Sequence, residues 1–371
     1  MLIVKNLLRR KVRSFLSLMG IAIGVAAIVA FNAIGQGFKR GLDQYFNESG
    51  AQLLVVNKTV QDPAFSRVQK EEYDFVGALP GVAHVSITTF SLASPRGLKA
   101  QSFGMPAMPV YGRTPGDRML DKFKGRVRGR VLEKDDEIML GSITAENLKL
   151  EPGDTMQFFN RTFTVVGVHD SGVSFERIGA IVTNSVIQKQ LGMGDASSVV
   201  FIYLKPGADW KDIKRAVEAQ HPHLAAIRSD EFTVFYNQLD YIDWFVWIIS
   251  LVSVMVGGLG ILNTMLMSVS ERTREIGTLR AVGWSRRRVL GLVLSEGTAI
   301  SFAGGLVGLL AGWTGAEILI RWAPRDFLST RYSPELFGVA LLVAVALGFI
   351  GALYPAWQAS RLSPIEALKY E

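Results

Sequence analysis

The chain of 371 residues contains no cysteine. Without thiols it forms no disulfide bond and has no cysteine-ligated metal site, and cysteine usage says nothing about its compartment. Histidine is scarce as well, with four residues. Of these, only His221 and His223 lie close together in sequence, and no carboxylate stands at ligand spacing beside them. We therefore predict no metal site.

Sequence signatures of common catalytic sites are also missing. The pattern G-x-x-x-x-G-K-[ST] is absent, and no glycine is followed directly by lysine, so the sequence carries no P-loop. Neither a G-x-S-x-G nucleophile elbow nor an H-E-x-x-H helix occurs. The acidic run 135–137 is interpreted as the solvated start of a strand rather than a catalytic pair. We predict no catalytic residue and no directly bound cofactor.

Charge is nearly absent from four long stretches. Trp244–Ser270 has no charged residue, and Glu296 is the only one in Val289–Ala316. Similar stretches occupy about 14–36 and Leu336–Trp357. Each is as long as the roughly 20 residues that an α-helix needs to cross a bilayer. Membrane helices together with a soluble domain explain how a 49% hydrophobic composition coexists with 40 basic and 33 acidic residues.

The predicted fold class is an α-helical membrane protein with four transmembrane helices and an α+β extracytoplasmic domain of two lobes between helices 1 and 2. The predicted segments are the N-terminus with transmembrane helix 1 (1–36), the extracytoplasmic domain with its helical stalk (37–243, outer lobe about 112–196), transmembrane helix 2 (244–270), a charged loop helix (271–288), transmembrane helix 3 (289–320), an external loop (321–335), and transmembrane helix 4 with the tail (336–371).

Positive charge indicates which side of the membrane each segment occupies. Five basic residues lie within 1–13 and six arginines within 268–288, and such clusters mark the cytoplasmic side. Both termini are therefore predicted to be cytoplasmic and the large domain extracytoplasmic. The net charge of +7 then needs no nucleic-acid partner. The N-terminus is similar to a secretory signal, but its apolar stretch is longer and lacks a small-residue cleavage site, which predicts an uncleaved first span.

The extracytoplasmic domain shows strand and helix patterns at both of its ends. Strands are predicted at Gln52–Asn57 and Val82–Phe90, and again at Val199–Leu204 and Ala225–Phe235, with helices inside each pair. Two such β-α-β halves can share one sheet. The middle is more β-like and includes a hairpin that turns at 160–161, so it is predicted to form the second lobe.

A charged island at Ser268–Arg288 separates the second and third apolar stretches. Four apolar residues recur there at helical spacing, which predicts a short amphipathic helix: Val269, Ile276, Leu279 and Val282. Gly283 is a natural helix stop and Ser285 an N-cap for the next helix.

Charges next to this helix are unusual. Arg286, Arg287 and Arg288 occupy a first helical turn, where the helix dipole disfavours cations. These arginines are explained either by binding to anionic lipid headgroups or by their role in fixing the membrane topology. The alternative is that they bind an acidic surface of a partner. Glu296 lies near the same interface, and we expect a structural ion pair with Arg287, Arg288 or headgroups.

Small residues also recur at four-residue spacing in the first and third spans. This spacing lets membrane helices approach closely and is compatible with a dimer interface. The glycines predicted to pack helices are Gly20, Gly24, Gly304, Gly308 and Gly312.

The motifs together resemble one family. They are SVSERTREIGTLRAVG at 268–283, Ser295-Glu296, MGIAIGVAA at 19–27 and YPAWQASRLSPIEAL at 354–368, and they are similar to those of MacB/FtsX-type ABC transporter permeases. The resemblance implies a permease of the bacterial cytoplasmic membrane that acts as a homodimer with a separate ATPase dimer. ATP and Mg would be bound by that ATPase. A periplasmic adaptor or a lipoprotein, and membrane lipids, are the other implied partners.

In that family the loop helix after the second span docks into the ATPase, and motion passes through the spans to the external domain. The residues implied to make this contact are Glu271, Arg272, Thr273, Arg274, Glu275, Ile276, Leu279 and Arg280. Export or efflux is the first function implied. Lipoprotein release and activation of a cell-wall hydrolase by an FtsX-like module are alternatives, and the external partner would distinguish these three functions. A membrane-anchored sensor without an ATPase is a fourth alternative, against which the structured loop helix argues.

Overall fold

The computed structural model describes residues 11–60, 65–95, 107–231, 238–322 and 330–363. The two chain ends, residues 232–237 of the predicted helical stalk and residues 323–329 of the predicted external loop lie outside these ranges. The chain divides into two compact units. The helical unit comprises Met1–Gln36, Asp243–Leu319 and Thr330–Glu371, and the α/β unit comprises Gly37–Ile242 and Ile320–Ser329.

The α/β unit contains both helices and strands, and the described elements of the helical unit are all helices. The helices are α1 (Lys11–Asn47), α2 (Lys70–Ala78), α3 (Arg118–Asp121), α4 (Ser142–Leu148), α5 (Ser174–Arg177), α6 (Asn184–Leu191), α7 (Trp210–Gln220), α8 (Gln238–Glu271), α9 (Thr273–Ala281), α10 (Arg286–Trp322) and α11 (Pro334–Ser360). The strands are β1 (Leu53–Asn57), β2 (Val82–Thr88), β3 (Phe90–Ala93), β4 (Met108–Arg113), β5 (Val127–Gly129), β6 (Glu137–Gly141), β7 (Thr155–Phe158), β8 (Arg161–His169), β9 (Ala180–Thr183), β10 (Val199–Leu204) and β11 (Leu224–Arg228).

Four of these helices are long and apolar enough to cross a membrane: α1, α8, α10 and α11. They coincide with the four uncharged stretches, so the predicted fold class is confirmed. The start of α11 shows how the sequence sets one boundary. Ser333 accepts a hydrogen bond from the Leu336 amide, and Pro334 occupies the first turn, where its missing N–H costs nothing. The first of the four helices, α1, continues without a break to Asn47.

Glycines bring α10 very close to α1. A Cβ added at Gly308 would lie 2.7 Å from the Ala22 carbonyl oxygen, and one at Gly312 would lie 2.8 Å from that of Ala26. Gly304 similarly faces Ile21. A side chain at any of these positions would push the helices apart, so the small-residue stripe of α10 is used inside the chain.

The two glycines predicted on α1 differ in their surroundings. Gly24 faces α8, where an added Cβ would lie 3.1 Å from the Ser253 carbonyl oxygen. A Cβ added at Gly20 would meet no atom within 4 Å. A side chain at residue 20 would therefore meet open space within the part of the chain that the structure describes.

The first sheet of the α/β unit joins the two ends of this unit's sequence. Its strand order is β11-β1-β10-β2, and all neighbours are antiparallel. Two predicted strands are corrected here. The stretch 82–90 is divided at Thr89 between β2 of this sheet and β3 of the second sheet, and β11 ends at Arg228, followed by a 3-10 turn at Ser229–Glu231.

The second sheet is built mainly from the middle of the sequence. Its strand order is β3-β4-β9-β6-β8-β5, with β7 paired to β8. The predicted hairpin is present, but its turn is Phe159-Asn160, one residue earlier than expected. Both residues have positive φ, 47° and 56°, as a two-residue type I′ turn requires.

The end of α1 packs between residues of both sheets. Tyr45 stacks on Tyr111 of β4 with ring centroids 5.4 Å apart, and Phe46 stacks on Phe201 of β10 at 6.2 Å. All four rings belong to one buried cluster. Hydrophobic burial therefore fixes this last part of α1 within the α/β unit.

Candidate functional site

The charged island forms a short helix at a sharp break in the chain. Arg272 is the only residue between α8 and α9, and its φ of −107° and ψ of 16° interrupt the helix. The Thr273 hydroxyl donates a hydrogen bond to the Ser270 carbonyl oxygen at 2.8 Å, and the Ile276 amide donates to Arg272 at 2.9 Å. The start of α9 is thus held against the end of α8.

The other end of α9 is a Schellman motif. Gly283 has a φ of 96°, which a residue with a side chain adopts only with strain. The Trp284 amide donates to Leu279 at 3.0 Å and the Gly283 amide to Arg280 at 3.1 Å. The next helix begins where the Arg288 amide approaches the Ser285 hydroxyl at 3.4 Å. The predicted stop and cap are both confirmed.

One face of α9 packs into the helical unit. Ile276 is 3% exposed and shares a buried cluster with Val269, Val289 and Val293. Val282, predicted on this face, is instead 78% exposed. The helix ends at Ala281, so helical spacing no longer determines where residue 282 points.

Arg272 connects α9 to α10. Its Nη1 donates to both carboxylate oxygens of Glu296, at 3.2 Å and 2.9 Å, and its Nε donates to Glu275 at 2.9 Å. An ion pair of Glu296 was predicted, but its partner in the chain is Arg272 instead of Arg287 or Arg288. Arg288 precedes Glu296 by eight residues, or about 12 Å along one helix, whereas the end of α8 lies next to it.

The eight residues implied to contact an ATPase fall into three groups. Glu271, Arg274 and Glu275 are exposed, whereas Thr273, Leu279 and Arg280 are partly buried. Arg280 donates to the Trp284 carbonyl oxygen at 3.0 Å and so links α9 to the segment that follows it. Arg272 and Ile276 contact other residues of the chain. Fewer of the eight residues are therefore exposed for contact with a partner than the resemblance implied.

The three arginines that open α10 are all exposed. They extend the positive surface of the island beyond α9. Arg286, Arg287 and Arg288 are thus accessible to headgroups or to a partner, as both interpretations of the sequence require.

A buried charge cluster in the α/β unit was not found from the sequence. Arg113 of β4 is fully buried, donates to the Tyr45 hydroxyl at 3.0 Å and lies 3.8 Å from Glu176. Lys122 donates to the same carboxylate at 2.5 Å. Burial raises the pKa of Glu176, but the charges of Lys122 and Arg113 outweigh this effect and lower it overall. A charged residue at the end of a strand carries no sequence signal that distinguishes it from an exposed one.

His169 at the end of β8 is also fully buried. Its ring lies 4.6 Å from that of Phe123, and neither ring nitrogen has a hydrogen-bond partner in the structure. Burial lowers the pKa of His169 to about 4, because the charged imidazolium is poorly solvated there.

Two further sequence interpretations change in the α/β unit. Glu137, expected to be solvated, is 4% exposed and forms a bidentate pair with Arg130. That pair lowers the pKa of Glu137 to about 2. Glu72 of α2 lies 2.6 Å from the ring of His223 and 3.8 Å from that of His221, a contact between distant parts of the sequence. Among the described residues no group of three or more acidic or histidine side chains is arranged to hold a metal ion.

Comparison with known proteins gives two family matches. A model described as a MacB-like periplasmic core domain matches residues 14–220, and a model described as an FtsX-like permease C-terminal matches residues 247–364. The first covers more than half of the chain and the second covers α9 with the helices around it.

Individual proteins and one solved structure are also similar to this chain. The macrolide export ATP-binding/permease protein MacB of Nitrobacter winogradskyi is 28% identical over 96% of this chain and 58% of its own length. An uncharacterised ABC transporter permease of Methanocaldococcus jannaschii is 25% identical over 99% of this chain and 96% of its own length. The crystal structure of the periplasmic region of MacB from Actinobacillus actinomycetemcomitans is 16% identical, with a TM-score of 0.38, over 52% of this chain and 92% of that chain.

The chain thus spans about three fifths of the length of the MacB relative, and nearly the whole length of the archaeal permease. The two matched domains, in this order and with a loop helix between the second and third apolar helices, identify the chain as a member of the MacB/FtsX-type family of ABC transporter permeases.

Proposed function

We propose that this chain is the permease subunit of a MacB-like ABC transporter that drives export or efflux. In this proposal a separate ATPase dimer binds ATP and Mg and docks against α9. Two copies of the permease form a homodimer in the bacterial cytoplasmic membrane. ATP hydrolysis then changes the conformation of the extracytoplasmic domain rather than opening a channel, and a periplasmic adaptor or a lipoprotein is the expected external partner.

The observation that carries this proposal is that α9 has an exposed charged face and is connected at its two ends to α8 and α10. Its residues Arg274 and Glu275 are exposed on a helix that residue 272 joins to α8 and residues 282–285 join to α10. Ile276 anchors the opposite face. A force applied to the exposed face would therefore reach both long helices instead of being absorbed by a flexible loop.

Charge supports the proposed sidedness. Six arginines and two glutamates lie within 268–288, and five basic residues lie within 1–13. Both segments precede or join apolar helices, where positive charge favours the cytoplasmic side. Export is proposed because the MacB relative is named a macrolide export protein.

A pull-down from native membranes tests the proposed ATPase. The detergent-solubilised chain is compared with Arg274→Glu, which reverses an exposed charge on α9, and with Lys205→Glu, which makes the same change on an exposed residue of the α/β unit. We expect an ATP-binding subunit to co-purify with the native chain and with Lys205→Glu. Recovery with Arg274→Glu should fall by about tenfold or more, which corresponds to ~1.4 kcal/mol of lost binding free energy.

Recovery of no ATP-binding subunit with any of the three forms would refute the proposal. The same preparation identifies the external partner. An adaptor supports efflux, an acylated lipoprotein would replace efflux with lipoprotein release, and a cell-wall hydrolase would replace it with a signalling role.

A further inference from the structure

The Arg272–Glu296 pair joins two elements that are far apart in sequence. Arg272 stands at the break before α9, and Glu296 lies in the third turn of α10. Their side chains are 21% and 10% exposed. Nη1 of the arginine donates to both carboxylate oxygens, so the contact is a charge-assisted hydrogen bond as well as an ion pair.

The pair lies at the N-terminal end of α9, and it adds an ion pair to the apolar contact of Ile276 with Val289 and Val293 of α10. At its C-terminal end α9 is tied to α10 through Gly283 and Ser285. At its N-terminal end the chain leads to α8, and the ladder of helical hydrogen bonds is interrupted at Arg272. The charge pair therefore links this end of α9, which hydrogen bonds already hold against α8, to α10 as well.

Because the Arg272–Glu296 pair is largely buried, we expect the position of α9 to depend on both residues. Glu275 also accepts from Arg272, but its side chain is 60% exposed, and an exposed pair contributes little to stability. Glu296 is 8% exposed, so removal of Arg272 would leave a buried carboxylate without its counter-charge.

We infer that Arg272 and Glu296 are positioning residues that clamp the N-terminal end of α9 to α10. Movement of α9 is then transmitted to α10 at both ends of the short helix, and Arg272 itself is not part of the docking surface. The role in coupling rests on the proposed function, whereas the clamp is a property of the chain alone.

Hydrogen–deuterium exchange on the full chain in lipid nanodiscs, without any ATPase, tests the clamp. The variants are Arg272→Gln, Glu296→Gln and the double variant, with Arg274→Gln as a matched control on the same helix. We expect each single change to accelerate exchange of the 273–281 amides by about tenfold or more, because a buried charge is left unpaired. Arg274→Gln should stay within about twofold of the native rate, since an exposed side chain contributes little.

The double variant decides whether the two residues act as one. If they form a clamp, its acceleration is no larger than that of the worse single variant, because the same interaction is already lost. Accelerations that multiply in the double variant, or single variants that exchange like the native chain, would overturn the inference.

The pull-down separates this outcome from the proposed function. If Arg272 contacts an ATPase instead, Arg272→Gln leaves exchange unchanged but reduces co-purification. If the clamp exists but no ATPase binds, exchange changes as expected while the pull-down with the native chain is empty.

Discussion

At the scale of single residues, the buried His169 should make the stability of the fold depend on pH. An unfolded histidine has a pKa near 6.5, and burial lowers that of His169 to about 4. The folded state therefore binds the proton more weakly. The contribution of His169 to the free energy of unfolding is therefore fully present above pH 6.5. As the pH falls, the free energy of unfolding decreases, by about 2 to 3 kcal/mol at pH 4.5.

His169→Leu should remove this pH dependence, because leucine keeps an apolar side chain of similar size but does not titrate. The measurement is the urea midpoint of the detergent-solubilised chain between pH 7.5 and 4.5. His84→Leu serves as the control, since the His84 side chain is 42% exposed. A slope that is the same in His169→Leu and in the native chain would contradict the assignment.

Glu176 supplies the shared counter-charge for the buried Arg113 and the partly buried Lys122. Glu176→Gln leaves Lys122 and Arg113 together without a carboxylate, which we expect to destabilise the α/β unit by about 3–5 kcal/mol. Thermal unfolding followed by circular dichroism measures the loss. Glu133→Gln, whose side chain is 68% exposed, should change stability by less than about 0.5 kcal/mol; equal effects of the two changes would disprove the role of Glu176.

The residue scale is also where sequence reasoning was weakest. The helix stop at Gly283 and the cap at Ser285 could be predicted because they depend on local backbone chemistry. The partner of Glu296 could not, because Arg272 reaches it only after α8 and α10 pack together. Arg113 and Glu176 were missed for the same reason, since 63 residues separate them.

At the scale of elements, the approach of α1 and α10 depends on glycine. Gly308→Ala would place a methyl group 2.7 Å from both the Ala22 carbonyl oxygen and the Val25 Cβ. We expect the helical unit to lose about 1–3 kcal/mol, the usual cost of overpacking. Gly315→Ala is the matched control on the same helix, because an added Cβ there meets no atom within 4 Å.

The melting temperature in detergent distinguishes these two variants. Gly308→Ala should melt several degrees below the native chain and Gly315→Ala should not. Equal melting temperatures would mean that the two helices are farther apart than the structure shows.

The elements themselves were largely predictable, because hydrophobic runs and strand alternation are properties of contiguous sequence. Strands β1 and β10 and all four long helices lie where the sequence places them. The division at Thr89 was not predictable, since the change of sheet occurs within one continuous β-like run. Val282 was misplaced because periodicity does not indicate where a helix ends.

At the scale of the whole molecule, the organisation into a helical unit and an α/β unit followed from the uncharged runs alone. The proposed side of the membrane for α9 is inferred from the positive charges of the island. Moving α9 to the outer side would require six arginines of the island to cross the membrane, and each charged residue in the bilayer centre costs about 2.5–3.5 kcal/mol even by the insertion scale. The proposed docking on an ATPase requires α9 to face the cytoplasm.

The absence of cysteine permits a direct test of this topology, because the native chain has no thiol background. Thr278→Cys places a thiol on an exposed position of α9, and Lys205→Cys places one on an exposed position of the α/β unit. In spheroplasts a membrane-impermeant maleimide should label Lys205→Cys at once and Thr278→Cys only after permeabilisation. Rapid labelling of Thr278→Cys in intact spheroplasts would place α9 outside and exclude a cytoplasmic ATPase as its partner. Labelling of neither variant before permeabilisation would place the α/β unit inside, which contradicts the positive-inside argument from the same arginines.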